Sequence, residues 1–129
     1  MRGAAALCAA MLVCACQGQA QDGFGAPDTV WALTTLDGAP FDATATLTFT
    51  AENRVAGQAP CNSYFGVQTG RFPAFSAPAL AASRRACPAL EAETRFLSAL
   101  GAATRATRSG NTLILSDDSA ERLVFTRAD

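Results

Sequence analysis

Cys61 and Cys87 are the last two of five cysteines, and the residues around them have the types that chemistry uses. Asn62 follows the first, Arg84 and Arg85 precede the second, and Glu91 and Glu93 come just after it. A thiolate nucleophile, a pair of carboxylates for acid–base work and a metal centre are the activities such a set suggests. The chain contains no histidine, so no Ser-His-Asp or Cys-His arrangement and no imidazole ligand is available. The cysteines also stand too far apart for the paired spacing of a zinc site. They read as a structural disulfide, with a redox or metal role as the alternative. Closing that loop contributes about 3.5 kcal/mol in the chain-entropy view, a large share of the net stability of a small domain.

The two glutamates cannot act as one acid–base pair, because positions i and i+2 lie about 200° apart on a helix. Glu91 faces outward beside Arg95. Glu93 falls between Leu97 and Leu100 on the apolar stripe, where a carboxylate must be paired or hydrogen-bonded. It is expected to meet Arg84 or Arg85, or to cap backbone amides near the Cys61 loop; a catalytic acid is the lesser reading. Asn62 is expected to bond neighbouring backbone groups in a turn rather than a ligand. Two arginines are too few to define an anion site. Asp117-Asp118 reads as a hairpin turn, since a calcium loop needs more oxygen ligands at set spacing. Trp31 and the phenylalanines read as core, with a barrel-lined apolar pocket as the alternative. No catalytic residue, cofactor or metal site is assigned.

The elements that must position these residues begin after a leader. Met1-Arg2 and the apolar run Gly3 to Ala15 have the form of a signal peptide and fall short of a spanning helix. The run ends at Leu12-Val13-Cys14-Ala15-Cys16, which has the form of a lipobox with Cys16 as the lipidated residue. Ordinary cleavage after Ala20 is the alternative and would leave a soluble periplasmic chain. The reading is therefore a signal peptide over 1–15, a flexible tether over 16–28 and one domain over 29–127. Ten basic and eleven acidic residues leave no footprint for nucleic acid.

Within the domain, Trp31 and Leu33 alternate as one strand face, and Leu36 breaks the phase, predicting a bulge or strand end before a turn at Asp37-Gly38. Thr44 to Thr50, with Leu47 and Phe49 inward, Arg54 to Gly57, Tyr64 to Thr69 and Leu80 to Arg84 are further strands. Phe72 to Phe75, interrupted by Pro73, is an edge strand at best. Thr112 to Ser116 and Arg122 to Thr126 close the chain. A helix is expected over 88–100, with Pro88 at its start, Gly101 at its end, and Leu90, Leu97 and Leu100 on one face. Seven or so short strands with one helix predict a mainly β fold: a small antiparallel β-barrel-like curled sheet.

The sequence also resembles a known family. Trp31-Ala32-Leu33-Thr34-Thr35-Leu36-Asp37-Gly38, Leu47-Thr48-Phe49 and Arg54-Val55-Ala56-Gly57 are similar to the opening of the META domain, the HslJ-like family of bacterial envelope proteins. The likeness continues through Cys61-Asn62-Ser63-Tyr64-Phe65-Gly66, Arg84-Arg85-Ala86-Cys87-Pro88, Glu91, Glu93, Phe96-Leu97 and Leu100 to Leu123 and Phe125. Pro60 stands where the family usually has glycine, and Ser83 where threonine is common. The resemblance implies a compact barrel-like domain with one helix and a setting in envelope stress or antibiotic tolerance. The expected protein is a monomeric, non-enzymatic lipoprotein, anchored on the periplasmic side, in the outer membrane, that binds an envelope protein partner or supports envelope integrity. The alternative is a carrier of a small apolar ligand inside the barrel, which requires an open apolar cavity of several hundred Å³.

Overall fold

In β1 (Val30–Leu36) the inward side chains are Trp31, Leu33 and Leu36, so the alternation changes phase within the strand. The shift falls between Leu33 and Thr35 opposite Val124 and Phe125, the bulge anticipated from Leu36. The computed structural model describes residues 23–50 and 53–128. After β1, Asp37 and Gly38 both take positive φ, 51° and 82°, which makes the two-residue turn that suits a hairpin twist. That turn leads into β2 (Ala39–Pro40), a short strand with no periodic signal of its own.

β3 (Thr46–Thr50), β4 (Arg54–Gln58), β5 (Ser63–Val67) and β6 (Leu80–Ala82) form a meander on one side of β1. After the helix α1 (Leu90–Ala102), β7 (Arg105–Ser109), β8 (Thr112–Ser116) and β9 (Glu121–Arg127) complete the sheet on the other side. The nine-stranded antiparallel sheet runs β6-β5-β4-β3-β1-β9-β8-β7, with β2 pairing the end of β1. It is curled but not closed. The segment before β6 bridges part of the opening: Phe75 donates its N–H to Thr104 O at 3.0 Å, and Ala106 N donates to Pro73 O at 2.7 Å. The expected edge strand at Phe72 to Phe75 is thus a single bridge, Ala74 to Arg105. β7 escapes a pattern reading because only Ala106 of its five residues faces inward.

The helix differs from expectation at both ends. Pro88 lies in the turn that precedes it, where Leu90 N donates to Cys87 O at 3.1 Å, and Ala89 is the N-cap residue. Gly101 lies inside the last turn; the helix stops because buried Ala103 turns extended (φ −66°, ψ 137°). Thr104 N then bonds Ser116 O at 2.8 Å and carries the chain into β7. Tertiary pairing overrides the glycine signal. The buried stripe is Glu93, Phe96, Ala99 and Leu100, whereas Leu90 stays 42% exposed. Small Ala99 belongs to the buried face, so the stripe sits away from the line drawn through the leucines.

The interior is filled by large side chains, among them Trp31, Tyr64, Phe75, Phe96 and Phe125, with five fully buried leucines. Phe96 meets Tyr64 edge-on at 5.6 Å. Residues 23–28 do not all belong to a tether: Phe24 stacks on Phe49 at 4.6 Å, and Gly25 is buried against Trp31.

Candidate functional site

The Cys61 corner joins β4 to β5, and Ala59 N donates to Asn62 O at 2.7 Å to close the turn. Cys61 is disulfide-bonded to Cys87, with the two Cα atoms 5.8 Å apart. That bond ties the corner to the chain just before α1. Asn62 points inward and is 2% exposed. Its Oδ1 accepts from Arg85 N at 2.6 Å and from Ser83 Oγ at 3.1 Å. Its Nδ2 donates to Arg85 O at 3.0 Å and to Glu93 Oε2 at 2.6 Å. The side-chain amide therefore pairs with the Arg85 backbone as a strand neighbour does, and its two donors and two acceptor positions are all used.

Glu93 comes from the buried stripe of the helix and is 4% exposed. Its Oε1 accepts from Cys61 N at 3.0 Å and Asn62 N at 2.7 Å, while Oε2 takes the Asn62 amide. Of the two partners expected for Glu93, the structure has the backbone amides of the Cys61 loop and not a guanidinium. Arg84 and Arg85 are exposed, and Arg85 contributes only its backbone. A guanidinium is not needed, because three donors converge on the carboxylate at charge-assisted distances. Glu91 and Arg95 are both exposed and form no ion pair with each other.

Three further polar arrangements escaped the sequence. Arg122 binds Asp37 and, at 2.8 Å, Asp117, joining the β1–β2 turn to the β8–β9 turn. Asp117 Oδ1 also accepts from Ser119 N, Ser119 Oγ and Ala120 N, which makes it the hinge of the expected hairpin turn. The Ser119 backbone N–H foremost, then the Ser119 hydroxyl, Arg122 and the Ala120 N–H, hold its carboxyl well below the usual range. The two carboxylates likewise push the Arg122 guanidinium up. Gln68, 3% exposed, takes the Gly70 and Ser76 amides on Oε1 and fixes the loop after β5. Tyr64 donates its hydroxyl to Thr46 O at 2.5 Å, and burial pushes that phenol well above its ordinary range. Apart from the Asp117 turn, none of these had a periodic or motif signal; the Arg122–Asp37 and Tyr64–Thr46 contacts join residues through the fold.

A shallow groove of about 250 Å³ runs between Leu36, the residues 39–43 and the helix residues Ala92 and Arg95. It includes no clamp residue. Trp31 is core, and its indole N–H has no hydrogen-bond partner among the described residues. Among the described residues no three His, Cys, Asp or Glu side chains gather as a metal site would require, and no helix is long and apolar enough to cross a membrane. Cys16 and the proposed cleavage sites lie outside the described residues.

Chemically, the Cys61–Asn62–Glu93–Cys87 constellation is saturated: sulfur is bonded to sulfur, and the amide and carboxylate are turned on the backbone. The model of the META domain family matches residues 26–129. An NMR structure of a protein from Burkholderia xenovorans is 27% identical, covering 79% of this chain and 83% of that one, with a TM-score of 0.62. A crystal structure of a DUF4847 family protein from Bacteroides vulgatus shares the fold at 14% identity, covering 79% of this chain and 95% of that one, with a TM-score of 0.61. No curated protein matches the chain.

Proposed function

We propose, for a chain that belongs to the META domain family, that it is a lipid-anchored envelope protein that acts by binding a protein partner and so supports the envelope under stress. One observation carries the non-enzymatic part. The residues with the strongest chemical character spend their hydrogen-bonding capacity on one another and on the backbone, leaving no free nucleophile–base pair at the clamp. The absence of histidine from the whole chain points the same way. The large side chains filling the interior favour partner binding over carriage of an apolar ligand. The leader and Cys16 support the anchored location.

The test is made on the mature protein from a bacterial envelope. Intact mass is expected to show a diacylglycerol-modified chain beginning at Cys16, and cross-linking in whole envelopes is expected to yield a discrete heteromeric product. A chain beginning at Gln21 would end the anchored reading, and the absence of any product would end the partner reading.

A further inference from the structure

The exposed apolar side chains are not spread evenly over the domain. Among the described residues, Val30, Phe65, Val67, Phe72 and Leu90 are the large hydrophobic ones left open to solvent. The register fixes where they stand. Arg54 pairs with Val67 at one end of the sheet, and Gln58 pairs with Ser63 at the other, where the disulfide clamp lies. β1 starts on the Arg54 side of the sheet, and Val30 lies in the row Val30–Thr48–Ala56–Phe65, two residues in from the Arg54–Val67 pair. Phe72 packs edge-on to Phe24, which stacks on Phe49 near that same end. Phe65 stands two residues from Val67 on the same outward face of β5. Only Leu90 sits at the clamp end, next to Cys87.

The amino-terminal segment enters the domain at the apolar end. Gly23 lies against Phe72 so closely that a Cβ would come within 2.5 Å of it. From Cys16 to Gly23 the chain can reach at most about 25 Å, at the fully extended limit of roughly 3.5 Å per residue. An acyl chain on Cys16 therefore confines the apolar end of the domain to the neighbourhood of the bilayer.

Resting on the anchored reading above, we infer that this end, carrying Val67 and Phe72, together with the adjoining outward sheet face at Val30 and Phe65, docks on the lipid surface and orients the domain with its disulfide clamp away from the membrane. Exposed Arg54 and Arg71, next to Val67 in register and to Phe72 in sequence, are placed to offer their guanidinium groups to headgroup phosphates. Asp28, an exposed carboxylate at the same end, offsets one of these two arginines. A patch this small binds lipid weakly by itself; the anchor supplies a high effective concentration that makes the contact persistent.

The lipidated full chain, its mass checked first, is reconstituted in phosphatidylethanolamine–phosphatidylglycerol vesicles containing a lipid-borne quencher. An environment-sensitive dye is placed at Val67→Cys or, in a second protein, at Leu90→Cys. The dye at 67 is expected to lose roughly half its emission or more, as a group within the headgroup boundary would, and the dye at 90 to be unaffected. Adding Phe65→Glu to the Val67→Cys chain should remove the quenching, and because Phe65 is 60% exposed the fold should be retained. Equal quenching at both sites, or none at 67, overturns the docking while leaving the anchor intact. A shift at 67 that requires added envelope protein assigns the patch to a protein partner and also overturns it. An unlipidated mass refutes the anchored reading itself before the vesicles are made.

Discussion

Replacing Glu93 by Gln removes the charge and puts an NH2 where an oxygen now stands. The Gln carbonyl can still accept from Cys61 N and Asn62 N, held at 3.0 and 2.7 Å. Its Nε2 then faces Asn62 Nδ2 across the present 2.6 Å contact, donor against donor. Asn62 cannot turn over to help, because its oxygen is committed to Arg85 N and Ser83 Oγ. Two retained bonds lose their charge assistance at about 1 kcal/mol each, and the orphaned buried donor costs about 1–3 kcal/mol. Glu93→Gln should therefore cost about 3–5 kcal/mol, out of the roughly 5–15 kcal/mol that a domain commands. Urea unfolding at neutral pH, followed through the emission of the single tryptophan, reads this as a midpoint lower by about 2–3 M. Arg84→Ala and Arg85→Ala should stay within about 0.5 kcal/mol of the parent. A loss below about 1 kcal/mol in Glu93→Gln, or an equal loss in Arg85→Ala, would refute the backbone-capping role.

Reducing the Cys61–Cys87 bond, which spans 26 positions, should cost about 3.5 kcal/mol in the same urea assay; an unchanged midpoint would show the bond carries no such constraint. Gly57→Ala should lower the melting temperature, at a cost of about 1–3 kcal/mol or more. Its Cβ would lie 2.1 Å from Thr46 O and 2.9 Å from the Tyr64 hydroxyl, so a parent-like melt would contradict the β3–β4 register. Tyr64 is the only tyrosine, so phenolate absorbance reports it alone. Because burial raises its folded pKa, stability should be intact below pH 10 and decline above it, with phenolate appearing only as the domain unfolds; titration near pH 10 in the folded state would count against its burial. Asp117 has the opposite sign: its lowered folded pKa adds stability above the ordinary carboxylate range that is lost as pH falls below about 4. The stability gap between parent and Asp117→Asn should shrink from pH 5 to pH 2, and a constant gap would remove the ionised turn from the account.

What the sequence made legible was what repeats locally. Alternation located β1 and β3, short runs between turn signals located β4, β5, β6, β8 and β9, and the misplaced Leu36 announced a bulge. A rotation of 100° per residue aimed Glu93 inward, but angle alone could not choose between a guanidinium and the amides across 31 positions of chain. β7 was silent because an edge strand with one inward alanine has no period to show. Helix limits were misjudged where Pro88 and Gly101 suggested caps but pairing at Thr104 set the end. Phe24 looked like part of a polar tether, since nothing nearby reveals its stack on Phe49. The Arg122 bridge to Asp37, 85 positions away, exists only once β1 and β9 are neighbours.

The most direct test of the clamp is amide hydrogen exchange at Cys61 and Asn62 in the oxidised protein. If the constellation is a rigid folding device, both amides bonded to Glu93 should exchange only through global unfolding, with the protection of the β1–β9 core. Glu93→Gln should drop them below the core amides. Fast exchange of the two amides in the parent protein, while β1 and β9 stay protected, would show a corner that opens on its own and would contradict the clamp.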